Sequence, residues 1–198
     1  CGIDDDGSVM YNTQLGHGDA MHLSDLDPSR PGMEVMVVHE EKNIYPTAGM
    51  EMHDARTGEI IWKIPASDDN GKGISADIDP TYKGKESWSY FTDGIYDCRG
   101  KKICKDKPKH MTFRIYWDGD LLDELYQGNN IYKWNYKLQR LDICHKMPGT
   151  EQANGTKQTP FLQADLFGDW REELVMRVKG DSTKLRVYTT TKLTDYRM

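Results

Sequence analysis

A chain of 198 residues with 32 acidic and 26 basic side chains carries a formal charge of −6, and no basic run stands out in it. That balance argues against a nucleic-acid partner, and no stretch approaches the ~20 apolar residues of a membrane span. Mean hydropathy is −0.77, yet five Trp and eleven Tyr are present, the profile of a polar-surfaced β protein rather than a disordered chain.

No signal peptide opens the chain. Cys1 is followed at once by the turn-rich Asp4-Asp5-Asp6-Gly7, without the flexible tether of a lipoprotein, so the start reads as a fragment boundary. The first acidic loop is Asp25-Leu26-Asp27, with Glu34 opening the apolar run EVMVV. Met50–His53 and Ile60–Trp62 bracket the Gly-containing turn 54–58, which predicts a hairpin. A long polar loop, 63–75, separates it from the second acidic loop, Asp77-Ile78-Asp79, with Glu86 opening ESWSYF. A second hairpin is expected at 94–96 and 102–103, around Cys98-Arg99-Gly100. Cys98 and Cys104 flank that turn and either pair across it or stay as buried thiols.

The third acidic loop is tighter, Asp118-Gly119-Asp120 followed by Glu124, and the stretch from Leu121 to Tyr126 is the only helix-like one. Segments 131–134 and 140–143 predict a third hairpin, and a second long loop runs over 145–158. The fourth acidic loop sets Asp165 and Asp169 ahead of Glu173, which opens ELVMRV. Leu185–Tyr188 alternates as a half-buried strand should.

The first aspartates, at 25, 77, 118 and 165, recur every 41 to 52 residues. That period fits one four-stranded β-propeller blade per repeat, so the expected fold is all-β, a partial propeller of about four blades. A ring of four such blades would leave edges unpaired, so residues 1–198 are expected to be one domain cut from a larger ring. Each loop also gathers three carboxylates on one turn, the hard oxygen donors that Ca²⁺ prefers, in a spacing unlike that of the EF-hand. Turn chemistry alone accounts for a single Asp-x-Asp; four copies point to several Ca²⁺ ions.

Six longer motifs cover nearly the whole chain: LGHGDAMHLSDLDPSRPGMEV (15–35), DARTGEIIW (54–62), SADIDPTYKGKE (75–86), YWDGDLLDEL (116–125), NGTKQTP (154–160) and LQADLFGDWREELV (162–175). Through them the chain resembles the rhamnogalacturonan lyases of polysaccharide lyase family 11. The resemblance implies an eight-bladed propeller that binds several Ca²⁺ ions around a central cleft. It implies β-elimination at the rhamnosyl-(1→4)-galacturonate bond of rhamnogalacturonan I, leaving a 4,5-unsaturated galacturonate.

By the same resemblance Asn154, Gly155 and Thr156 bind the sugar chain, and Lys157 belongs to a catalytic pair. Its other member is typically an Arg; here it is Lys72, between Gly71 and Gly73, a cation without the planar fork that grips a carboxylate. His17 and Asp19 match a position that holds an ion near the cleft, and Glu40 is a further ligand of it. His39, His53, His110 and His145 are expected to be structural. Adjacent Glu172 and Glu173 point to opposite faces of a strand, so they do not form the carboxylate pair a glycoside hydrolase needs. At least three of Trp62, Trp88, Trp117, Trp134 and Trp170 are expected in the core.

A lyase acting on pectic polysaccharide is therefore expected, monomeric, without nucleic-acid or membrane partners, and secreted or periplasmic because its substrate is a polymer. This piece alone is expected to be inactive. A non-catalytic Ca²⁺-binding propeller that holds pectic polysaccharide or a protein partner is the alternative.

Overall fold

The computed structural model describes residues 1–109 and 113–197; His110 lies outside them. Two compact units divide the chain, Cys1–Met111 and Thr112–Met198.

In the first unit β1 (Gly2–Ile3) pairs with β2 (Val9–Tyr11). Then comes an antiparallel sheet of β3 (Met21–Ser24), β4 (Glu34–Val38), β5 (Met50–Asp54) and β6 (Ile60–Ile64), each strand beside the next. The same order is repeated by β7 (Gly73–Ala76), β8 (Glu86–Ser89), β9 (Ile95–Tyr96) and β10 (Lys102–Cys104). The second unit opens with a third such sheet, β11 (Phe113–Ile115), β12 (Glu124–Gln127), β13 (Asn130–Asn135) and β14 (Arg140–Lys146). In the fourth sheet β17 (Glu173–Val178) is shared by β15 (Thr150–Glu151), β16 (Leu162–Ala164) and β18 (Asp181–Tyr188).

Each repeat is thus a four-stranded antiparallel sheet; Glu34, Glu86 and Glu124 open the second strand of the first three, and Glu173 opens β17, the shared strand of the fourth. The β-propeller expectation is corrected. Among the described residues the four sheets stay open, each with free edges, and no ring closes. The physical reason is that recurrence in sequence dictates what one repeat folds into, whereas closure depends on how repeats are arranged. The helix-like stretch at 121–126 is also corrected: its last three residues enter β12, and the described residues contain no helix.

Apolar side chains at alternate positions build the interior. Met36 faces Met52 and Val38 faces Met50 across β4 and β5, all four fully buried with Leu26, Trp62 and Tyr96 around them. In the second unit Ile115, Trp117, Tyr126, Ile131, Met147, Leu174 and Met176 form the corresponding cluster. Burying each such side chain contributes roughly 1.5–3 kcal/mol. Trp62, Trp88, Trp117 and Trp134 are all buried, as expected. Trp62 also donates from Nε1 to the Cys98 carbonyl at 2.9 Å. β18 departs from expectation: Leu185 and Val187 stay exposed, because among the described residues β17 is the strand's only neighbour. The Cys98 and Cys104 thiols are free; register sets Cys104 opposite Ile95, and Cys98 donates to the Lys83 carbonyl at 3.1 Å.

Candidate functional site

The acidic loops share one device. In the first, Glu34 Oε2 accepts the backbone N–H groups of Leu26 and Asp27, both at 3.0 Å. In the second, Glu86 Oε2 accepts those of Ile78 at 2.9 Å and Asp79 at 3.1 Å. In the third, Glu124 Oε2 accepts those of Trp117 and Asp118, both at 2.9 Å. In the fourth, Glu173 Oε2 accepts that of Leu166 at 2.8 Å. The glutamate that opens the second strand is therefore a latch on the loop before it, satisfying backbone donors that the turn would otherwise leave unpaired. Asp27 and Asp79 tighten the same turns by accepting from Ser29 and Thr81.

The four loops differ at the other oxygen of the latch. Glu34 Oε1 and Glu86 Oε1 are buried with no hydrogen-bond partner. Arg30 Nε approaches Glu34 Oε1 only to 3.8 Å. At Glu86, burial pushes the carboxyl up to about 8, and the nearby Asp77 and Asp79 charges add to the rise against the two N–H bonds. In the third loop Glu124 Oε1, Asp118 Oδ2 and Asp120 Oδ2 all accept from Lys133 Nζ at 2.7 Å. In the fourth, Glu173 Oε1 accepts from the Thr189 hydroxyl at 2.9 Å, and Asp169 pairs with Arg171 at 2.6 Å. Asp165 there accepts the N–H groups of Gly168, Asp169 and Trp170. Asp25 is exposed and Asp77 half-buried.

A separate cluster stands in the loops around β3 and β4. His17 Nε2 lies 3.0 Å from Asp19 Oδ1 and 3.7 Å from Glu40 Oε2, and the three offer ligand atoms within 4.8 Å of one another. The structure thus brings His17, Asp19 and Glu40 together. Sequence reasoning missed Glu41, whose Oε2 accepts the His17 N–H at 3.0 Å. The backbone is shaped for this: Glu40 N donates to His17 O at 2.9 Å, and a Cβ on Gly18 would collide with the Val38 carbonyl. The cluster borders a cavity of about 670 Å³ whose floor includes His39, Glu51 and His53. Glu51, fully buried, lies 2.9 Å from His53 Nδ1 and 3.6 Å from His39 Nε2. Tyr11 OH reaches His53 Nε2 at 3.3 Å. The only sequence signal for this network was the i, i+2 placement of Glu51 and His53 on one strand face.

Lys72 sits on a loop held from both sides. Its carbonyl accepts Tyr90 N at 3.0 Å. Two residues earlier Asn70, fully buried, donates from N to His39 O at 3.0 Å and from Nδ2 to Gly49 O at 2.9 Å. Its Oδ1 accepts from Ser89 Oγ at 3.1 Å and Phe91 N at 2.9 Å. In the second unit Asn154 Oδ1 accepts the N–H groups of Thr156 and Lys157, both at 2.9 Å, an Asx turn. Asn154, Gly155 and Thr156 are exposed, Lys157 is half-buried, and a Cβ on Gly155 would meet nothing within 4 Å. That is the surface a ligand can approach closely.

The chain was compared with known proteins. The family described as "Rhamnogalacturonan lyase family 11, C-terminal domain" matches residues 1–198. The chain belongs to this family. It is 49% identical to rhamnogalacturonan endolyase YesW of Bacillus subtilis (strain 168) over 196 residues, covering 99% of this chain and 31% of that protein. It is 44% identical to rhamnogalacturonan exolyase YesX of the same strain, covering 97% of this chain and 33% of the relative. Among solved structures, that of YesW and that of a Bacillus licheniformis rhamnogalacturonan lyase each superpose with a TM-score of 0.93 at 49% identity. The chain thus spans about a third of the length of these family 11 lyases.

Proposed function

We propose that this chain is part of a rhamnogalacturonan lyase that cleaves the rhamnosyl-(1→4)-galacturonate bond of rhamnogalacturonan I by β-elimination. The observation that carries the proposal is the exposed Asx-turn loop presenting Lys157 beside Asn154, Gly155 and Thr156, in a chain of this family. Such a reaction needs a group that takes the C5 proton of galacturonate and donors that fix the sugar. The Asn154 side chain fixes the backbone of Thr156 and Lys157, so the loop enters binding already ordered and less entropy is lost on closing over a sugar. Lys157 is the residue proposed for the proton. Lys72, on the loop pinned by Asn70, supplies a second cation that draws the uronate carboxylate.

Calcium fits the donors present. His17, Asp19 and Glu40, whose ligand atoms lie within 4.8 Å of one another, would hold one ion; in the first two loops the unpartnered oxygens of Glu34 and Glu86 would be the donors, with Asp25, Asp27, Asp77 and Asp79 proposed beside them. When bound, calcium supplies charge neutralisation at a carboxylate, which eases removal of an α-proton. Secretion or export to the periplasm belongs to the same proposal, since a polymer of this size is met outside the cytoplasm.

The test uses the full-length protein with rhamnogalacturonan I and follows the ultraviolet absorbance of an unsaturated uronate. Activity in calcium that falls at least ~100-fold in Lys157→Ala, the loss typical of removing an acid–base group, supports the proposal. A folded wild type that binds the polymer and yields no unsaturated product would refute it.

A further inference from the structure

We propose that the residue facing each latch glutamate across the sheet decides whether that acidic loop takes a divalent cation, and that Lys133 makes the third loop a cation site closed by its own ammonium.

The pairing register identifies the facing residue in every repeat. Glu34 is paired with Asp54. One step on from the Ser87–Tyr96 pair, Glu86 faces Asp97. One step on from Leu125–Tyr132, Glu124 faces Lys133; one step on from Leu174–Tyr188, Glu173 faces Thr189. The chemistry at the second latch oxygen follows that residue. Where it is an aspartate, in the first two loops, the oxygen is buried and unpartnered. Neither oxygen has a donor within hydrogen-bond reach, Arg30 Nε standing 3.8 Å from that of Glu34 and the Asp77 and Asp79 charges lying near that of Glu86, which is costly unless a further cation joins them. Where it is Thr189 a hydroxyl closes the oxygen, and Arg171 takes up Asp169. Where it is Lys133, one ammonium spends its three N–H donors on three carboxylates at 2.7 Å each. Three donors and no spare proton leave that ammonium fully satisfied, and Lys192 Nζ stands 3.8 Å from Asp118 Oδ2 as a second positive charge beside the cluster.

The third loop is also where three carboxylates converge within 4.8 Å, the geometry a small divalent ion would impose. Lys133 imposes it by ion pairs from a neighbouring strand, with no dependence on ion concentration. The inference rests on the calcium reading of the first two loops only for its statement that an aspartate opens a loop to the ion; the closure by Lys133 stands on its own distances.

The experiment exchanges the facing residues in the full-length protein. Bound calcium is counted by atomic emission after dialysis, and site-specific loading is read from terbium luminescence sensitised by Trp117, whose backbone N–H donates to Glu124 Oε2. Lys133→Asp is expected to gain one ion per chain and a terbium signal absent from the wild type, and to melt lower in chelator than in calcium. Asp97→Lys is expected to lose one ion. If Lys133→Asp does not fold even in calcium, Asp120→Asn in the wild type decides: an unchanged ion count supports the closure by Lys133, and the loss of one ion overturns it. A folded Lys133→Asp that gains no ion also overturns it. A wild type that binds no calcium while Lys133→Asp binds one would sink the calcium reading of the first two loops and leave the closure standing.

Discussion

Glu86→Gln should change sign in its effect on stability according to whether calcium is present. Glu86 is 0% exposed, one of its oxygens holds the N–H groups of Ile78 and Asp79, and the other has no partner. Burial, with the Asp77 and Asp79 charges, raises its carboxyl from an ordinary 4.5 to about 8. The unfolded chain gives up this proton near 4.5 and the ion-free folded chain keeps it to about 8. Between those values the folded state binds more protons, so ion-free stability falls as pH rises through that window and is flat outside it. At about 1.4 kcal/mol per pH unit the loss amounts to about 3 kcal/mol by pH 7 and about 5 kcal/mol above pH 8. Glutamine keeps the carbonyl acceptor for both N–H groups and carries no charge, so in chelator it should match the wild type near pH 4.5 and exceed it by about 3 kcal/mol at pH 7. In calcium the order reverses, because only the carboxylate offers the ion a charged oxygen. Thermal melts of both proteins from pH 4.5 to 9, in chelator and in calcium, measure this directly. A glutamine variant less stable than wild type in chelator at pH 8 would show that Glu86 is already satisfied inside the protein and would refute the reasoning.

Asn70→Ala removes one side chain that serves Gly49 O, Ser89 Oγ and Phe91 N; at about 1–3 kcal/mol for each buried group left unpaired, a loss of at least ~2 kcal/mol is expected in urea titration. Asn70→Asp keeps the acceptor but sets a carboxylate oxygen against the Gly49 carbonyl in a fully buried site, so it should cost at least as much at neutral pH. Gly84 has φ +87° and a Cβ there would lie 2.5 Å from the Leu26 carbonyl, so Gly84→Ala should destabilise by about 2 kcal/mol and lower the melting temperature. Trp62→Phe keeps the ring in the core but leaves the Cys98 carbonyl without its donor, an expected cost of about 1–2 kcal/mol by the same titration.

The strands and hairpins were legible in the sequence because each is local. A turn such as Asp54-Ala-Arg-Thr-Gly closes on its own side chains, with Asp54 Oδ1 accepting the N–H groups of Arg56 and Thr57. The recurrence of the acidic loops was legible for the same reason, and each does build one sheet. The expected ring went beyond that local signal, since no residue within a repeat encodes the arrangement of repeats, and the sheets stay open among the described residues. The ligand sets divide along the same line. His17 and Asp19 are two residues apart, so proximity in sequence joined them, whereas Glu40 is brought in by the bond between its own N–H and His17 O, and only the family resemblance pointed to it. Three carboxylates on one turn looked equally metal-seeking in all four loops, because the deciding residue comes from the next strand, 9 positions after Glu124 in the case of Lys133. Its signal was present once register is considered: Asp54 and Asp97 each begin a turn holding Arg and Gly, whereas Lys133 lies inside the β-forming run NIYKWN. Charge at a strand position is usually read as a solvated face. Here the pleat turns that face toward three acids, of which Glu124 is fully buried and Asp120 exposed, so one lysine answers a cluster which, taken by composition alone, calls for an ion.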